Sequence, residues 1–221
     1  MKTKITHIGA ISTWSPYENK LQRIQDVEIM VEDDKILEIC PEVLGADDEI
    51  DADGALITPG FVDSHTHPIF SGNRANEFGM RVSGKSYEEI ASMGGGIISS
   101  INEVRNASEE QLLEECLERI NFFLVHGTTT IEAKSGYGLT IEDELKSLRV
   151  IKRLNESSPL DIIPTFMGAH AFPPEFKNDH QGYVRLICEE MIPVVAEENL
   201  AEFCDVFCEN GYFDHDQTLK I

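Results

Sequence analysis

The chain has 221 residues, 41% of them hydrophobic, enough apolar content to bury a substantial core in one or two domains. Forty acidic residues against 18 basic ones give a formal charge of -22, which opposes binding to nucleic-acid phosphates and anionic lipid surfaces. No apolar leader segment follows Met1-Lys2-Thr3-Lys4-Ile5-Thr6-His7 and no later run approaches membrane-spanning length, so a cytoplasmic protein with no membrane partner is expected.

The first 55 residues read as short strands: Ile5 to Ser12, then Val27 to Val31 and Lys35 to Ile39 across an Asp33-Asp34 turn, then a piece near Glu49 to Ala52. An apolar run then climbs into Pro59-Gly60-Phe61-Val62-Asp63-Ser64-His65-Thr66-His67-Pro68. As a strand, Phe61 to His67 projects Asp63, His65 and His67 to one face and Val62, Ser64 and Thr66 to the other. Two neutral imidazoles so placed suit zinc, iron or manganese, and an open position on such an ion acidifies a water for hydrolysis. Two histidines on an ordinary turn is the competing explanation; Pro59-Gly60 before the strand and Pro68 after it favour the metal.

Beyond this strand the period changes to strands alternating with amphipathic helices. Ser86 and Glu89 form a capping-box pattern ahead of a short helix that stops at Gly94-Gly95-Gly96. Those glycines lack the spacing and lysine of a phosphate loop and read as a terminator and hinge. Ser108 and Gln111 repeat the capping signal for a helix with Leu112, Cys116, Ile120, Phe123 and Leu124 on one face, ending at His126-Gly127. A strand over Thr128 to Lys134, a helix from Ile141 to Asn155 with Leu145, Leu148 and Ile151 or Val150 inward, and a strand over Asp161 to Met167 follow. A helix from about Gln181 to Glu198, bent near Pro193, then leads to a strand over Phe203 to Glu209. Four β/α units in series point to a (β/α)8 barrel or a doubly wound sheet. Cys40, Cys116, Cys188, Cys204 and Cys208, odd in number and without a CxxC pair, read as free and mostly buried thiols.

The carboxyl ends of these strands collect polar residues: His65 and His67, then Glu132-Ala133-Lys134-Ser135-Gly136-Tyr137-Gly138, then Met167-Gly168-Ala169-His170-Ala171, then Cys208-Glu209-Asn210-Gly211-Tyr212. Singly, His170 and Tyr137 are as readily explained by packing; their shared address on one rim is what makes them functional candidates. Arg74, close behind the metal strand, suits a substrate carboxylate, against the default of a surface ion pair.

Pro59 to His67 resembles the first barrel strand of the amidohydrolase superfamily, and the preceding strands resemble its small β-sandwich. More narrowly, His65-Thr66-His67-Pro68 with Phe70-Ser71-Gly72-Asn73-Arg74, then Lys134-Ser135-Gly136-Tyr137-Gly138-Leu139, Gly168-Ala169-His170-Ala171 and Phe207-Cys208-Glu209, resemble the imidazolonepropionase family in order. The resemblance implies a β-sandwich segment over 1–55 and, over 56–221, the first half of an α/β (β/α)8 TIM-type barrel. It implies hydrolysis of the small molecule 4-imidazolone-5-propanoate to N-formimidoyl-L-glutamate in histidine degradation, with His65 and His67 on one zinc or iron ion. It also implies that Arg74 pairs with the propionate and that Tyr137 and His170 hold the ring. In that family further ligands, a histidine and an aspartate, and the acid-base residues lie on later strands. These are expected beyond residue 221, which would make this the amino-terminal half, with an open sheet edge and homodimerisation as one outcome. The alternatives are another amidohydrolase, a deaminase or cyclic amidase, or a non-catalytic fragment that associates through that edge.

Overall fold

The structure is a computed structural model and describes residues 1–86, 89, 90 and 93–221. It divides into two compact units, Met1–Gly60 and Phe61–Ile221.

The first unit holds two sheets. One orders β5 (Lys35–Cys40), β4 (Glu28–Glu32), β1 (Lys2–Thr6) and β6 (Asp48–Asp51); the other orders β3 (Lys20–Ile24), β2 (Ala10–Ser15) and β7 (Leu56–Ile57). The strand expected over Ile5 to Ser12 is two strands in different sheets, because the chain turns at His7, whose φ is +50°. Strand β3 carries no strong alternation and was not expected; it is fixed by antiparallel pairing with β2, Ile11 opposite Ile24. The Asp33 turn between β4 and β5 is present, with Asp33 at φ +53°. Ile8, Ile11 and Ile29 form a small apolar core.

The second unit is built on four parallel strands in sequential order: β8 (Phe61–Thr66), β9 (Thr128–Lys134), β10 (Asp161–Ala169) and β11 (Phe203–Val206). Helices among its described residues include α1 (Ala75–Val82), α2 (Ile97–Asn106), α3 (Glu109–Val125), α4 (Ile141–Ser157), α5 (His180–Leu186), α6 (Ile192–Glu197) and α7 (His215–Thr218). Helix α3 starts where Ser108 Oγ accepts the Gln111 N–H and buries Leu112, Cys116 and Ile120. It packs on β9 and α4. Helix α4, capped by Thr140 accepting from the Asp143 N–H, buries Leu145, Leu148, both Val150 and Ile151, and Leu154, and packs on β10. This interior is one apolar cluster centred on β9, β10, α3 and α4.

Several expectations are corrected. The helix over 181–198 is interrupted by a π-helical turn, Ile187–Met191, immediately before Pro193, whose missing N–H cannot close an ordinary helical turn. The Ser86–Glu89 capping pair is made, with the Ser86 N–H 2.7 Å from the Glu89 carboxylate and the Glu89 N–H 3.1 Å from Ser86 Oγ. The helix expected to follow falls partly on residues 87, 88, 91 and 92, outside the described residues. Gly96 is the N-cap of α2, so the glycine run leads into a helix; α1 and α2 were not expected. Of the five free cysteines only Cys116 is buried. Cys204 and Cys208 lie on and just after β11, an edge strand, and are exposed, as are Phe61, Val62 and Phe203 on the two edge strands. No helix among the described residues is long and apolar enough to cross a membrane.

Leu148 is fully buried in this cluster while Val125 is 79% exposed. Leu148→Ala should therefore cost about 2–5 kcal/mol of stability in urea unfolding. Val125→Ala should stay within about 0.5 kcal/mol.

Candidate metal centre and substrate cleft

Parallel pairing brings the carboxyl ends of β8, β9 and β10 side by side, and with them four of the candidate residues, His65, His67, Tyr137 and His170. Strand β8 ends at Thr66, whose hydroxyl donates to the Glu132 carbonyl of β9 at 2.6 Å and so pins the His65-Thr66-His67 step to its neighbour. The rings of His65 and His67 lie with centroids 5.5 Å apart, edge to face. His170, just past β10, stacks on His67 at 4.7 Å with an interplanar angle of 15°. Tyr137 leans on both, 5.3 Å from His67 and 5.2 Å from His170.

Each of the two stacked histidines turns one nitrogen to a backbone carbonyl. His67 Nδ1 is 3.2 Å from the Ser135 carbonyl oxygen and His170 Nδ1 is 2.8 Å from that of Gly136. A carbonyl only accepts, so in the neutral ring the proton sits on Nδ1 and the lone pair on Nε2. Burial, followed by the proximity of His170 and His65, pushes the His67 pKa down to about 4. Burial lowers that of His170 as well. Both rings are therefore neutral at physiological pH. A neutral imidazole whose Nδ1–H is held by a carbonyl is the form that binds a metal through Nε2.

Neutral imidazole nitrogens of this kind fit a borderline divalent ion. Among the described residues no group of three or more His, Cys, Asp or Glu comes together as a complete cage.

The segment after β8 is tied to α3. Arg119 Nη1 donates to the carbonyls of Pro68 at 3.0 Å and Phe70 at 2.7 Å, and its guanidinium lies 3.6 Å over the Phe70 ring. Ser71 Oγ donates to Glu115 at 2.9 Å. This anchorage presents Arg74, at the start of α1, to a cleft of about 340 Å³ whose walls include His67, Phe70, Ser99, Glu103 and Tyr137. Arg74 is half-exposed and, among the described residues, pairs with Glu77 at 3.8 Å, which leaves the guanidinium accessible to a ligand. Burial raises the Tyr137 pKa and the nearby Arg74 charge opposes that rise, so the phenol keeps its proton.

Two charged groups escape sequence reasoning. Lys134, buried on β9, donates to Glu132 at 2.7 Å and to Asp205 of β11 at 2.8 Å, while Glu132 also accepts from Thr165 at 2.7 Å. Burial pulls the Lys134 pKa down, but Asp205 and Glu132 outweigh it and the net shift is upward. The Glu132-x-Lys134 alternation on a strand was the available signal, since both side chains share one face. The second is Glu144 on α4, fully buried beneath the Ser135–Leu139 loop, which an acidic first helical turn alone does not single out.

The sequence of the chain is 50% identical over 209 residues to the imidazolonepropionase of Thermoanaerobacter pseudethanolicus, covering 94% of this chain and 50% of that one. The chain is related to the imidazolonepropionases. The imidazolonepropionase of Geobacillus kaustophilus is 45% identical over 223 residues, covering all of this chain and 51% of that one. That of Shouchella clausii is 57% identical over 172 residues, covering 78% and 38%. The chain spans about half the length of the imidazolonepropionases it matches. No protein-family model matches it. Among solved structures, a triazine hydrolase from Arthrobacter aurescens has a TM-score of 0.57 at 11% identity, covering 98% of this chain and 48% of that one. A 5-methylcytosine deaminase from Klebsiella pneumoniae has 0.56 at 15% identity, covering 93% and 51%. At such identities the likeness is one of fold.

Because its folded-state pKa lies below the ordinary 6.5, His67 resists protonation that the unfolded chain accepts, so its contribution to stability is present above pH 6.5 and is lost as pH falls toward about 4. In an NMR titration of the metal-free chain, His67 should titrate near pH 4, and His7, whose pKa is raised by its hydrogen bond to Asp51, above 6.5. A His67 midpoint near 6.5 would contradict the neutral, carbonyl-bonded ring.

Proposed function

We propose that this chain carries the first four β/α units of a (β/α)8 barrel, preceded by a small β-sandwich, of a cytoplasmic imidazolonepropionase. That enzyme hydrolyses 4-imidazolone-5-propanoate to N-formimidoyl-L-glutamate in histidine degradation. The observation that carries this is the gathering of His67, Arg74 and Tyr137 on one cleft, with His65 and His170 in ring contact with His67. The identity to imidazolonepropionases over nearly the whole chain supports it.

In this reading His65 and His67 hold one zinc or iron ion through imidazole nitrogen, and further donors and the acid-base residues come from outside these 221 residues. The ion, when bound, supplies Lewis acidity that lowers the pKa of a water at the site. Arg74 pairs with the substrate propionate as a charge-assisted anchor and fixes the ring against the histidines. The Tyr137 hydroxyl, protonated throughout the physiological range, donates to the ring, and His170 Nε2, its lone pair free, accepts from a ring N–H. Water adds at the ring carbonyl carbon, the carbonyl C–N bond breaks, and the departing nitrogen takes up a proton. The products are a carboxylate and a formimidoyl group on the former ring nitrogen. Donors aimed at the carbonyl oxygen stabilise the charge that develops on it.

The test is calorimetric binding of 4-imidazolone-5-propanoate and of an imidazolone lacking the propionate to the zinc-loaded chain. Arg74→Met should weaken the first by about 10–100-fold, the loss of one charge-assisted contact of about 1.5–3 kcal/mol, and leave the second unchanged. Equal weakening of both, or of neither, would contradict the role given to Arg74.

A further inference from the structure

The Glu144 carboxylate is fully buried, and every partner it has is a donor. Its Oε1 receives the backbone N–H groups of Gly138 and Leu139, both at 2.9 Å, and its two oxygens share that of Gly136 at 3.1 and 3.2 Å. The Ser135 hydroxyl is a further donor to it, and is free to be one because its oxygen already accepts the Met167 N–H at 2.9 Å. The three amide N–H groups can only donate, so the site is built to favour the carboxylate, held by charge-assisted bonds.

One of the amides it holds belongs to a peptide whose other end meets a histidine of the site. The N–H of Gly136 and the carbonyl of Ser135 are one peptide unit: Glu144 takes the N–H and His67 Nδ1 meets the carbonyl at 3.2 Å. The carbonyl of the same Gly136 meets His170 Nδ1 at 2.8 Å. Between the clamped Gly136 and Gly138 lies Tyr137. A negative charge on the N–H side of a peptide polarises it and makes its carbonyl oxygen a better acceptor.

The loop tolerates no looser arrangement. Gly136 sits at φ +109°, and a Cβ there would lie 2.9 Å from the Met167 carbonyl oxygen and 3.0 Å from the His170 ring; a Cβ on Gly138 would lie 2.5 Å from the Asp143 backbone. Leu139 is held at φ +56° with its side chain buried, a left-handed conformation disfavoured for a residue with a Cβ.

We propose that Glu144 is a positioning residue: through the Ser135–Gly136 peptide and the loop it clamps, it holds His67 and His170 in the Nδ1–H form, which leaves the Nε2 lone pair free, and seats Tyr137 beside them. The tautomer assignment stands on these contacts alone, and only its consequence for metal affinity rests on the function proposed above.

The experiment records two-bond ¹H–¹⁵N spectra of the metal-free chain at mildly alkaline pH, where nitrogen shifts separate the two tautomers. The wild type should show both His67 and His170 as Nδ1–H; either ring as Nε2–H overturns the proposal. Glu144→Gln should lose the Nδ1–H form of His67, and Glu144→Asp, which keeps the charge, should retain more of it. Tyr183→Phe is the structural control, since its hydroxyl donates to the Gly168 carbonyl at 2.8 Å and reaches the far end of the loop at the Leu139 carbonyl, 3.4 Å, without touching the Ser135–Gly136 peptide. It should leave both tautomers in place, and an equal change in this variant would reduce Glu144 to a packing role. In parallel, zinc affinity should fall about 10–100-fold in Glu144→Gln. A tautomer change with unaltered zinc affinity supports the role of Glu144 and removes His67 from the metal site. Weaker zinc binding with unchanged tautomers overturns the role of Glu144.

Discussion

A carboxylate cut off from water and ringed by amide N–H groups is the contact on which the rest of this site depends. Taking a charge out of water costs several kcal/mol, and Glu144 meets that cost only because four donors converge on it. Burial still pushes its pKa up from the ordinary carboxylate value, with the Ser135, Leu139, Gly138 and Gly136 hydrogen bonds pulling it back. The same bonds fix a loop that could not otherwise keep Gly136 and Leu139 at positive φ. The charge therefore shapes backbone that has no regular secondary structure of its own, at the point where the chain leaves β9.

From this clamp the geometry spreads to neighbouring strands. Carbonyls of the clamped loop receive His67 from the end of β8 and His170 from the end of β10, so three strands meet at one short stretch of backbone. Helix α4 contributes both the carboxylate and the apolar face that packs on β10, which couples the loop to the core. Arg119 performs the corresponding task on the other side, gathering the Pro68 and Phe70 carbonyls so that Arg74 reaches the cleft. In each case a helix side chain satisfies loop backbone groups that strand pairing leaves open.

Much of this was legible in the sequence. The 2-residue and 3.6-residue periodicities locate β9, β10, α3 and α4 within a few residues, and Ser108 and Thr140 cap helices as their residue types require. The His-x-His step, Arg74, Tyr137 and His170 were identifiable as one rim because parallel strands bring their carboxyl ends together. What the sequence concealed has physical reasons. Strand β3 and the split of Ile5 to Ser12 depend on sheet partners and on one positive φ at His7. The exposure of Cys204 depends on β11 being an edge strand. Glu144 looks like any acid in a first helical turn until its loop is folded over it.

The measurement that bears most directly on this arrangement is native-state amide hydrogen exchange at Gly136, Gly138 and Leu139. Clamped on a buried carboxylate, these three should exchange as slowly as the ladder amides of β9 and β10, although they lie outside any strand or helix. Exchange at the rate of an exposed loop would mean that Glu144 does not hold the backbone, and the histidines would have to owe their alignment to something else.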